Sequence, residues 1–243
     1  MIDINCDMGE IQDLLDNNVY SGLMDYVTSI NLACGGHAGD EIMIRSLIRT
    51  AHRKDVNVGA HPSYPDRENF GRLAMNLDAD ELVESISSQV QELINIACEE
   101  NVPVTHVKPH GALYNLAARD TVLGQLMGKA VIRVAPSLPV MCLAGSRMVS
   151  VLQDSGLDVM GEAFADRTYE ADGSLRNRSL KGALITNPGQ AAEQARSIAE
   201  HKKVIAFDGS EIHIEAATIC VHSDTPNAPT IAKAVRQTIG KIH

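Results

Sequence analysis

The stretch TSINLACGGHAGDEIMIRSLIRTAHRKDVNVGA, residues 28–60, contains one complete repeating unit of the fold. Its two ends, TSINLAC (28–34) and VNVGA (56–60), are short and nearly continuous in apolar character, as in strands buried on both faces. Between them, EIMIRSLIRTAHRK (41–54) is predicted to be a helix with Asp40 as its N-cap. A strand, a helix and a second strand in this order predict parallel pairing of the two strands.

The same alternation extends over the rest of the chain. Further strands are predicted at IDINC (2–6), VTHVK (104–108), VMCLA (140–144), DVMGEAF (158–164) and TICVH (218–222). Further helices are predicted at 78–100, with Asp78 and Glu81 in capping-box spacing, at 187–202, with Asn187 as cap and Pro188 at the first position, and at about 229–239. VIAFDGSEIHIEA (204–216) interrupts the pattern and is predicted to form a hairpin that turns at Asp208-Gly209.

About seven βα units without a linker or an internal repeat predict one α/β domain, residues 1–243. The expected architecture is a closed or nearly closed, TIM-barrel-like β/α barrel with a parallel sheet. No GxGxxG motif follows the first strand, which argues against a dinucleotide-binding fold.

Composition limits the classes of partner. The net charge of the chain is −10 and no basic cluster occurs, so nucleic acid is not an expected partner. No run approaches the roughly 18 apolar residues of a membrane span, and no secretory signal begins the sequence. The five cysteines are scattered and form no CxxC motif, which argues against a disulfide framework. We therefore expect a cytoplasmic protein.

Residues capable of chemistry recur where the predicted strands end. Active sites of parallel barrels lie on the face where the strands end, so these side chains are expected to converge as acids, bases or ligands. His52, His201, His213 and His243 lie elsewhere and are assigned no role. The residues at strand ends are Asp7, His37, Asp40, His61, Lys108, His110, Glu162, Asp166, Arg167, His222 and Asp224.

The loop GGHAGD (35–40) allows three interpretations. Gly35, Gly36 and Gly39 let the backbone approach a ligand closely, and a helix N-terminus follows, so an anion site is favoured. A Cys34 nucleophile with His37 as its base is the weakest interpretation, because their spacing does not ensure contact. A metal site stays open, since its ligands can come from separate strands although no compact zinc motif occurs.

Two basic groups suit anionic ligands. HPSYPDRENFGR (61–72) is a long loop in which Arg67 or Arg72 could bind a carboxylate or a phosphate. Lys108, at a strand end, suits the stabilisation of an oxyanion or a phosphate.

Six segments together resemble the LamB/YcsF family, and the resemblance extends over about residues 2–240. The family's usual GFHAGDP appears here as GGHAGDE, with Gly36 and Glu41 at the two differing positions, and Ile11-Gln12-Asp13 replace the usual Ser-Phe-Gly. The segments, in order, are Asp7, NLACGGHAGD (31–40), GAHPSYPD (59–66), VKPHGALYN (107–115), GEAFADRTY (161–169) and ICVHSDTPNA (219–228).

This resemblance implies an irregular seven-stranded β/α barrel of the glycoside hydrolase and deacetylase type. It also implies the activity of the A subunit of 5-oxoprolinase, in which the lactam of 5-oxo-L-proline is opened to L-glutamate with consumption of ATP. Subunits B and C are the implied partners. No Walker P-loop occurs in this sequence, so ATP, as co-substrate, is expected to bind mainly to a partner subunit.

The mechanistic hypothesis assigns a role to each candidate. One of Asp7, Glu162 or Asp166 acts as general base, His61, His110 or His222 relays protons, and Lys108 stabilises the oxyanion. The substrate-binding candidates are Gly35, Gly36, His37, Asp40, Arg72, Arg167 and Asp224. Two alternatives are a metal-dependent amide or sugar deacetylase that acts alone and a non-catalytic lactam-binding regulatory subunit. Metal content and self-association are left open.

Overall fold

The computed structural model describes residues 2–240, so the ends of the predicted domain, residue 1 and residues 241–243, lie outside the described residues. The strands are β1 (Asp3–Met8), β2 (Ser29–Ala33), β3 (Asn57–His61), β4 (Val104–Val107), β5 (Val140–Leu143), β6 (Val159–Phe164), β7 (Lys203–Ile205), β8 (Glu211–His213) and β9 (Thr218–Cys220). The helices are α1 (Gln12–Asp16), α2 (Val19–Leu23), α3 (Glu41–Arg53), α4 (Ala79–Glu99), α5 (Gly111–Ala117), α6 (Thr121–Val134), α7 (Arg147–Asp154), α8 (Pro188–His201) and α9 (Ala228–Ile239).

Seven of the strands form a closed barrel in the order β1-β2-β3-β4-β5-β6-β9. All pairs in it are parallel, and β9 closes the ring by pairing with both β1 and β6. The ring is irregular beside β4, where the register shifts between Val58 and Gly59. The prediction of a seven-stranded parallel β/α barrel is confirmed, and each predicted strand end lies within two residues of the observed one.

The helix ends follow most of the predicted capping pattern. The side chains of Asp40 and Asn187 accept hydrogen bonds from the backbone N–H groups of Met43 and Gln190, so both predicted caps are confirmed. Asp78 is the N-cap of α4, but its side chain makes no capping hydrogen bond, so the predicted capping box is wrong. Residue spacing predicts which side chains lie near a helix end, whereas their rotamers depend on the surrounding structure.

The core is mostly aliphatic, in keeping with a chain in which only 3% of the residues are aromatic, although Tyr20 and Tyr169 are also fully buried. The predicted apolar face of α4 is confirmed, since its five members lie buried in the core; they are Leu82, Ile86, Val90, Leu93 and Ala97. The hairpin is also confirmed, because β7 and β8 pair antiparallel and Gly209 adopts a positive φ of 89° at their turn. Among residues 2–240, no helix has both the length and the apolar character needed to cross a bilayer.

Gly59 of β3 makes room for the ring of His106 inside the barrel. A Cβ atom at Gly59 would lie 2.1 Å from Nε2 of His106, which bonds Oδ1 of Asn31 at 2.7 Å. We expect Gly59→Ala to lower the free energy of unfolding by roughly 2–5 kcal/mol, because it overpacks the core and breaks a buried hydrogen bond. Chemical denaturation followed by circular dichroism measures this change.

Gly22→Ala is the matched control for this substitution. Gly22 lies in α2, and no atom lies within 4 Å of the added Cβ. Alanine in a helix should leave stability unchanged or raise it by about 0.5–1 kcal/mol. Equal stability losses in the two variants would contradict the close packing of Gly59 against His106.

Candidate active site

Buried polar side chains from strands on all sides of the barrel meet in its interior. Burying polar groups costs free energy unless they are hydrogen-bonded, so a dense group of them indicates a functional site. Asp7 lies inside β1, whereas the sequence placed it after the strand. The members with at most 6% of their surface exposed are Asn5, Asp7, Asn31, His61, His106, Lys108, His110, Glu162 and Asp166.

Lys108 lies at the centre of this interior. Its Nζ is 2.8 Å from Oδ1 of Asp7 and 2.8 Å from Oε1 of Glu162, and these three residues are called the ion triad below. Burial disfavours the ammonium ion, but the charge of Asp7, followed by that of Glu162, raises the pKa of Lys108 well above its usual value. Burial likewise opposes ionisation of Asp7, yet His61 and Lys108 hold its pKa well below the usual range. The triad therefore carries a permanent ammonium ion at neutral pH.

Two oxygen atoms beside the ion triad make no short hydrogen bond within the described part of the chain. They are Oε2 of Glu162 and the hydroxyl of Tyr114, both fully buried. Burial, followed by the charge of Glu162, raises the pKa of Tyr114 well above its usual value, so this hydroxyl stays protonated. A hydrogen bond to Glu162 contributes to the same rise in the pKa of Tyr114, so the two side chains lie near each other. Buried oxygens that are not fully hydrogen-bonded are costly, and in native proteins a ligand can account for them.

Asp166 and His222 form a dyad at the barrel mouth. Nδ1 of His222 lies 2.9 Å from Oδ1 of Asp166, and Oδ2 of Asp166 accepts hydrogen bonds from the backbone N–H of His222 at 3.0 Å and the hydroxyl of Thr225 at 2.6 Å. Burial opposes ionisation of Asp166, but the charge and hydrogen bonds of His222 keep its pKa below the usual value. A carboxylate that accepts Nδ1–H leaves Nε2 of the imidazole free to take a proton.

Glu10, His37, His61 and His110 form a second group, called the histidine cluster below. One ligand atom from each lies within 4.8 Å of those of the others. Oε1 of Glu10 is 2.9 Å from Nε2 of His37 and 3.1 Å from Nδ1 of His110. Burial lowers the pKa of His37 and lowers that of His61 to about 3, so both imidazoles are neutral at physiological pH. Imidazole and carboxylate groups in this arrangement could bind a metal ion.

A further set of potential metal ligands comprises Asp7, Cys220 and His222. Lys108 lies beside this set, with its Nζ 3.3 Å from Sγ of Cys220 and 2.8 Å from Asp7. Burial raises the pKa of Cys220 well above its usual value, so its thiol is protonated. A neighbouring ammonium ion and a neutral thiol make this set a poor metal site.

The predicted glycine loop lies at the edge of the site. The guanidinium group of Arg67 donates to the backbone oxygens of Gly35, at 3.1 Å, and Gly39. Asp40 is exposed and caps α3, so its carboxylate occupies a helix N–H that an anion would need. Gly35 and Gly36 line a surface groove with Gln89 and Cys34, whereas the predicted acids, bases and Lys108 do not line it. Burial raises the pKa of Cys34 to about 12, which does not favour a thiolate nucleophile. The roles predicted for this loop in binding a ligand stay predictions.

The predicted substrate-binding arginines have different environments. Arg167 is buried, and its Nη2 donates to the backbone oxygen of Arg176 at 2.6 Å, so its guanidinium group holds the loop that follows β6. Arg72 is 45% exposed and donates to Oδ2 of Asp224 at 2.7 Å. Arg178 donates to the same oxygen at 2.7 Å. The two latter arginines converge on one carboxylate oxygen near the barrel mouth.

Several residues of the interior escaped the sequence prediction. Glu10 lies two residues after the end of β1 and three after Asp7. Its place at a strand end, like that of the predicted residues, is the signal that could have identified it. Asn5 lies two residues before Asp7 in β1, and side chains two apart in a strand point to the same face. His106 lies in β4 two residues before Lys108, which directly follows that strand. Arg178 belongs to an irregular segment and gave no local signal.

The seven strands form a closed parallel barrel, and ionisable side chains converge at its strand ends. This arrangement is typical of β/α-barrel proteins, whose active sites lie on that face. The sequence model of the LamB/YcsF family matches residues 2–242. The chain therefore belongs to the LamB/YcsF family.

Individual relatives cover nearly the whole chain. A protein of Chloroflexus aurantiacus, named as the A subunit of 5-oxoprolinase, is 45% identical over 236 residues, which are 97% of this chain and 93% of that protein. Its namesake in Tolumonas auensis is 40% identical over 235 residues, covering 97% of this chain and 94% of the relative. The crystal structure of a lactam utilization protein from Thermus thermophilus has a TM-score of 0.91 and 38% identity, covering 99% of this chain and 96% of that one.

Proposed function

We propose that this protein is the A subunit of an ATP-dependent 5-oxoprolinase and hydrolyses the lactam bond of 5-oxo-L-proline to give L-glutamate. The relatives that are named as this component of 5-oxoprolinase support the substrate. The observation that carries the chemistry is the Asp166–His222 dyad, because its hydrogen bond leaves Nε2 of His222 as a general base. The word "subunit" in the relatives' name supports an assembly with partner chains, which we take to be subunits B and C. We propose that this assembly works in the cytoplasm.

The energetic problem of lactam hydrolysis explains the need for ATP. Amides are poor electrophiles, and a five-membered lactam is favoured over its open chain near neutral pH. Transfer of the γ-phosphoryl group to the lactam oxygen releases ADP and makes the ring carbon reactive. Addition of water and expulsion of the ring nitrogen give an acyl phosphate, and a second water converts it to glutamate and phosphate. ATP itself is proposed to bind mainly to a partner subunit, since the sequence has no Walker P-loop.

The residues of this chain have distinct tasks in that scheme. Nε2 of His222 takes a proton from the attacking water, while Asp166 orients the ring and stabilises the imidazolium that forms. The ammonium group of Lys108 stabilises the negative charge that develops on oxygen. We assign Asp166 the role of a positioning residue that orients His222, because its carboxylate oxygens already accept hydrogen bonds from His222 and Thr225.

The substrate carboxylate is proposed to bind between Arg72 and Arg178. Each guanidinium group donates to Oδ2 of Asp224 through one nitrogen, Nη2 of Arg72 and Nη1 of Arg178. A guanidinium group has five N–H donors, so further N–H groups of both arginines remain for a ligand carboxylate. Burial opposes the charge of Arg178, but the Asp224 carboxylate, followed by Asp166 and Asp7, raises its pKa, so the guanidinium group is charged. Arg167 is less suited to the task, because its guanidinium group donates to backbone oxygens.

Reconstitution tests this function. We expect the full chain, mixed with subunits B and C of a relative, ATP and 5-oxo-L-proline, to form glutamate and ADP in equal amounts. His52→Ala, a change on the exposed surface of α3, is the control and should retain the rate. The relative's own counterpart of this chain shows that the partners are active. If that counterpart forms glutamate and this chain does not, the substrate assignment is overturned, whereas lactam binding without turnover would favour a regulatory role.

A further inference from the structure

We propose that Glu10, His37, His61 and His110 bind one divalent transition-metal ion of the zinc class. This site shares no residue with the ion triad or the Asp166–His222 dyad, although it lies beside Asp7 of the triad. The inference goes beyond the proposed function and does not depend on it. Its ligands come from four different parts of the chain: the turn after β1, the loop before α3, the end of β3 and the N-cap of α5.

The distances in the histidine cluster are those of a small coordination sphere. Zinc lies about 2.0–2.2 Å from nitrogen and oxygen ligands, so tetrahedral ligands are roughly 3.3–3.5 Å apart. Oε1 of Glu10 is 2.9 Å from Nε2 of His37, 3.1 Å from Nδ1 of His110 and 3.7 Å from Nε2 of His61. Nε2 of His61 is 3.0 Å from Nδ1 of His110. A movement of a few tenths of an ångström would bring these atoms to coordination distances.

Backbone oxygens fix the tautomers of two of the histidines. Nδ1 of His61 lies 2.7 Å from the backbone oxygen of Lys108, and Nε2 of His110 lies 3.0 Å from that of Phe70. Each of these nitrogens must donate its hydrogen to a carbonyl oxygen, which can only accept. In the neutral rings, Nε2 of His61 and Nδ1 of His110 therefore carry lone pairs.

These two lone pairs face each other at 3.0 Å, beside an oxygen of the Glu10 carboxylate. Three acceptors at such distances repel one another unless a cation or a shared proton lies between them. Metal-binding histidines commonly donate their second ring N–H to a carbonyl or a carboxylate, which is the arrangement of His61 and His110. A metal ion satisfies all three acceptors at once.

His37 completes the set of four ligands. Its side chain is fully buried, its Nε2 points to Glu10, and its ring stacks on that of His110 at 3.7 Å with an interplanar angle of 1°. The parallel rings hold the two ligand nitrogens on the same side as Glu10. The second carboxylate nearby, Oδ2 of Asp7, is 3.6 Å from Nε2 of His61 and adds negative charge around the ion.

Cobalt binding tests this site in the full-length protein. Metals are removed with a chelator, and Co²⁺ is then titrated while its visible absorption is recorded, because four-coordinate Co²⁺ absorbs more strongly than the octahedral aqueous ion. We expect one Co²⁺ per chain, displaced by one equivalent of Zn²⁺, with the metal content checked by mass spectrometry. His61→Ala and His110→Ala should each weaken Co²⁺ binding by at least about 100-fold.

Two further variants locate the ion. His52→Ala removes an exposed histidine of α3 and should leave affinity unchanged. His222→Ala removes a member of the Asp7, Cys220 and His222 set and should also leave it unchanged. Circular dichroism shows whether each variant is folded, and the wild-type titration is decisive if His61→Ala or His110→Ala fails to fold.

Three outcomes would overturn the proposal. Wild-type protein that binds less than about a tenth of an equivalent of Co²⁺ and of Zn²⁺ would show that no metal ion lies between the facing acceptors. Unchanged affinity in folded His61→Ala and His110→Ala would show that the metal binds elsewhere. Loss of binding in His222→Ala alone would place it at the other set. None of these outcomes depends on glutamate formation, so they are distinguishable from a failure of the proposed function.

Discussion

Lys108→Met is expected to destabilise the protein by about 3–5 kcal/mol, the usual cost of removing one partner from a buried ion pair. The substitution leaves the carboxylates of Asp7 and Glu162 facing a hydrocarbon chain where each now lies 2.8 Å from an ammonium ion. Glutamate formation should fall below detection in the reconstituted assay, since the group proposed to stabilise the oxyanion is lost. Urea denaturation and the glutamate assay measure the two effects separately.

A double variant separates the stability role of Lys108 from its chemical role. Glu162→Gln removes one of the carboxylates that Lys108→Met leaves without a partner. We expect Lys108→Met/Glu162→Gln to recover about 0.5–3 kcal/mol of the lost stability, as is common for residues in direct contact, while activity stays absent. Recovery of activity in the double variant would contradict the role assigned to Lys108.

Lys129→Met is the matched control on the surface. The ion pair of Lys129 with Asp80 has a distance of 3.4 Å, and both side chains are more than 60% exposed. Exposed pairs contribute about 0–1 kcal/mol, so this variant should remain close to wild type in stability and in activity. A comparable loss in the two lysine variants would mean that burial of the ion triad is not what makes Lys108 important.

Topology explains why so much of the site could be predicted without coordinates. Apolar runs predict strands, their alternation with helices predicts parallel order, and parallel order places the strand ends on one face of a barrel. Asp7, His61 and Lys108, which are far apart in sequence, meet for this reason alone. The carboxylate of Asp7 lies 2.8 Å from Nζ of Lys108 and 3.6 Å from Nε2 of His61, inside the ring of strands.

The remaining features depend on geometry that residue spacing does not encode. Arg167 lies at a strand end, as predicted, but the following loop folds back so that backbone oxygens of Arg176 and Ala183 accept from its guanidinium group. Arg178 enters the site from that same irregular loop. Glu10 reaches three histidines because the chain turns at Gly9, whose φ is +79°. Such loop conformations are determined by tertiary contacts rather than by a local pattern.

Asp166→Asn is expected to lower kcat by about 10³–10⁴-fold with little change in KM. The same substitution in a serine-protease triad costs about 10⁴-fold, because the histidine then takes the wrong tautomer. The asparagine side chain keeps the size of the aspartate but has one oxygen and one amide NH₂ group. If the NH₂ group faces Nδ1 of His222, that nitrogen must accept, and the hydrogen of the ring moves to Nε2. The imidazole can then no longer take a proton from water.

Thr225→Val is the control for this substitution. It removes the hydrogen bond of 2.6 Å that the threonine hydroxyl donates to Oδ2 of Asp166, but it leaves the bond between Asp166 and Nδ1 of His222. We expect at most about a tenfold decrease in kcat, in keeping with the roughly 0.5–1.5 kcal/mol of one hydrogen bond.

His222→Gln should lower kcat as much as Asp166→Asn does. The double variant should lose little more activity than either single variant, because the effects of residues that act as a unit are not additive.

The pH dependence of stability gives Asp166 a second readout. The folded protein holds the pKa of this carboxyl below its usual value of 3.8, so the ionised group stabilises the fold above that pH. As the pH falls through the folded-state pKa, this stabilisation is lost, and the difference in unfolding free energy between wild type and Asp166→Asn should shrink. Full kcat in a folded Asp166→Asn protein would show that the dyad takes no part in the chemistry. A difference in unfolding free energy that stays constant between pH 7 and pH 3 would show that the carboxylate charge contributes nothing to the stability of the fold.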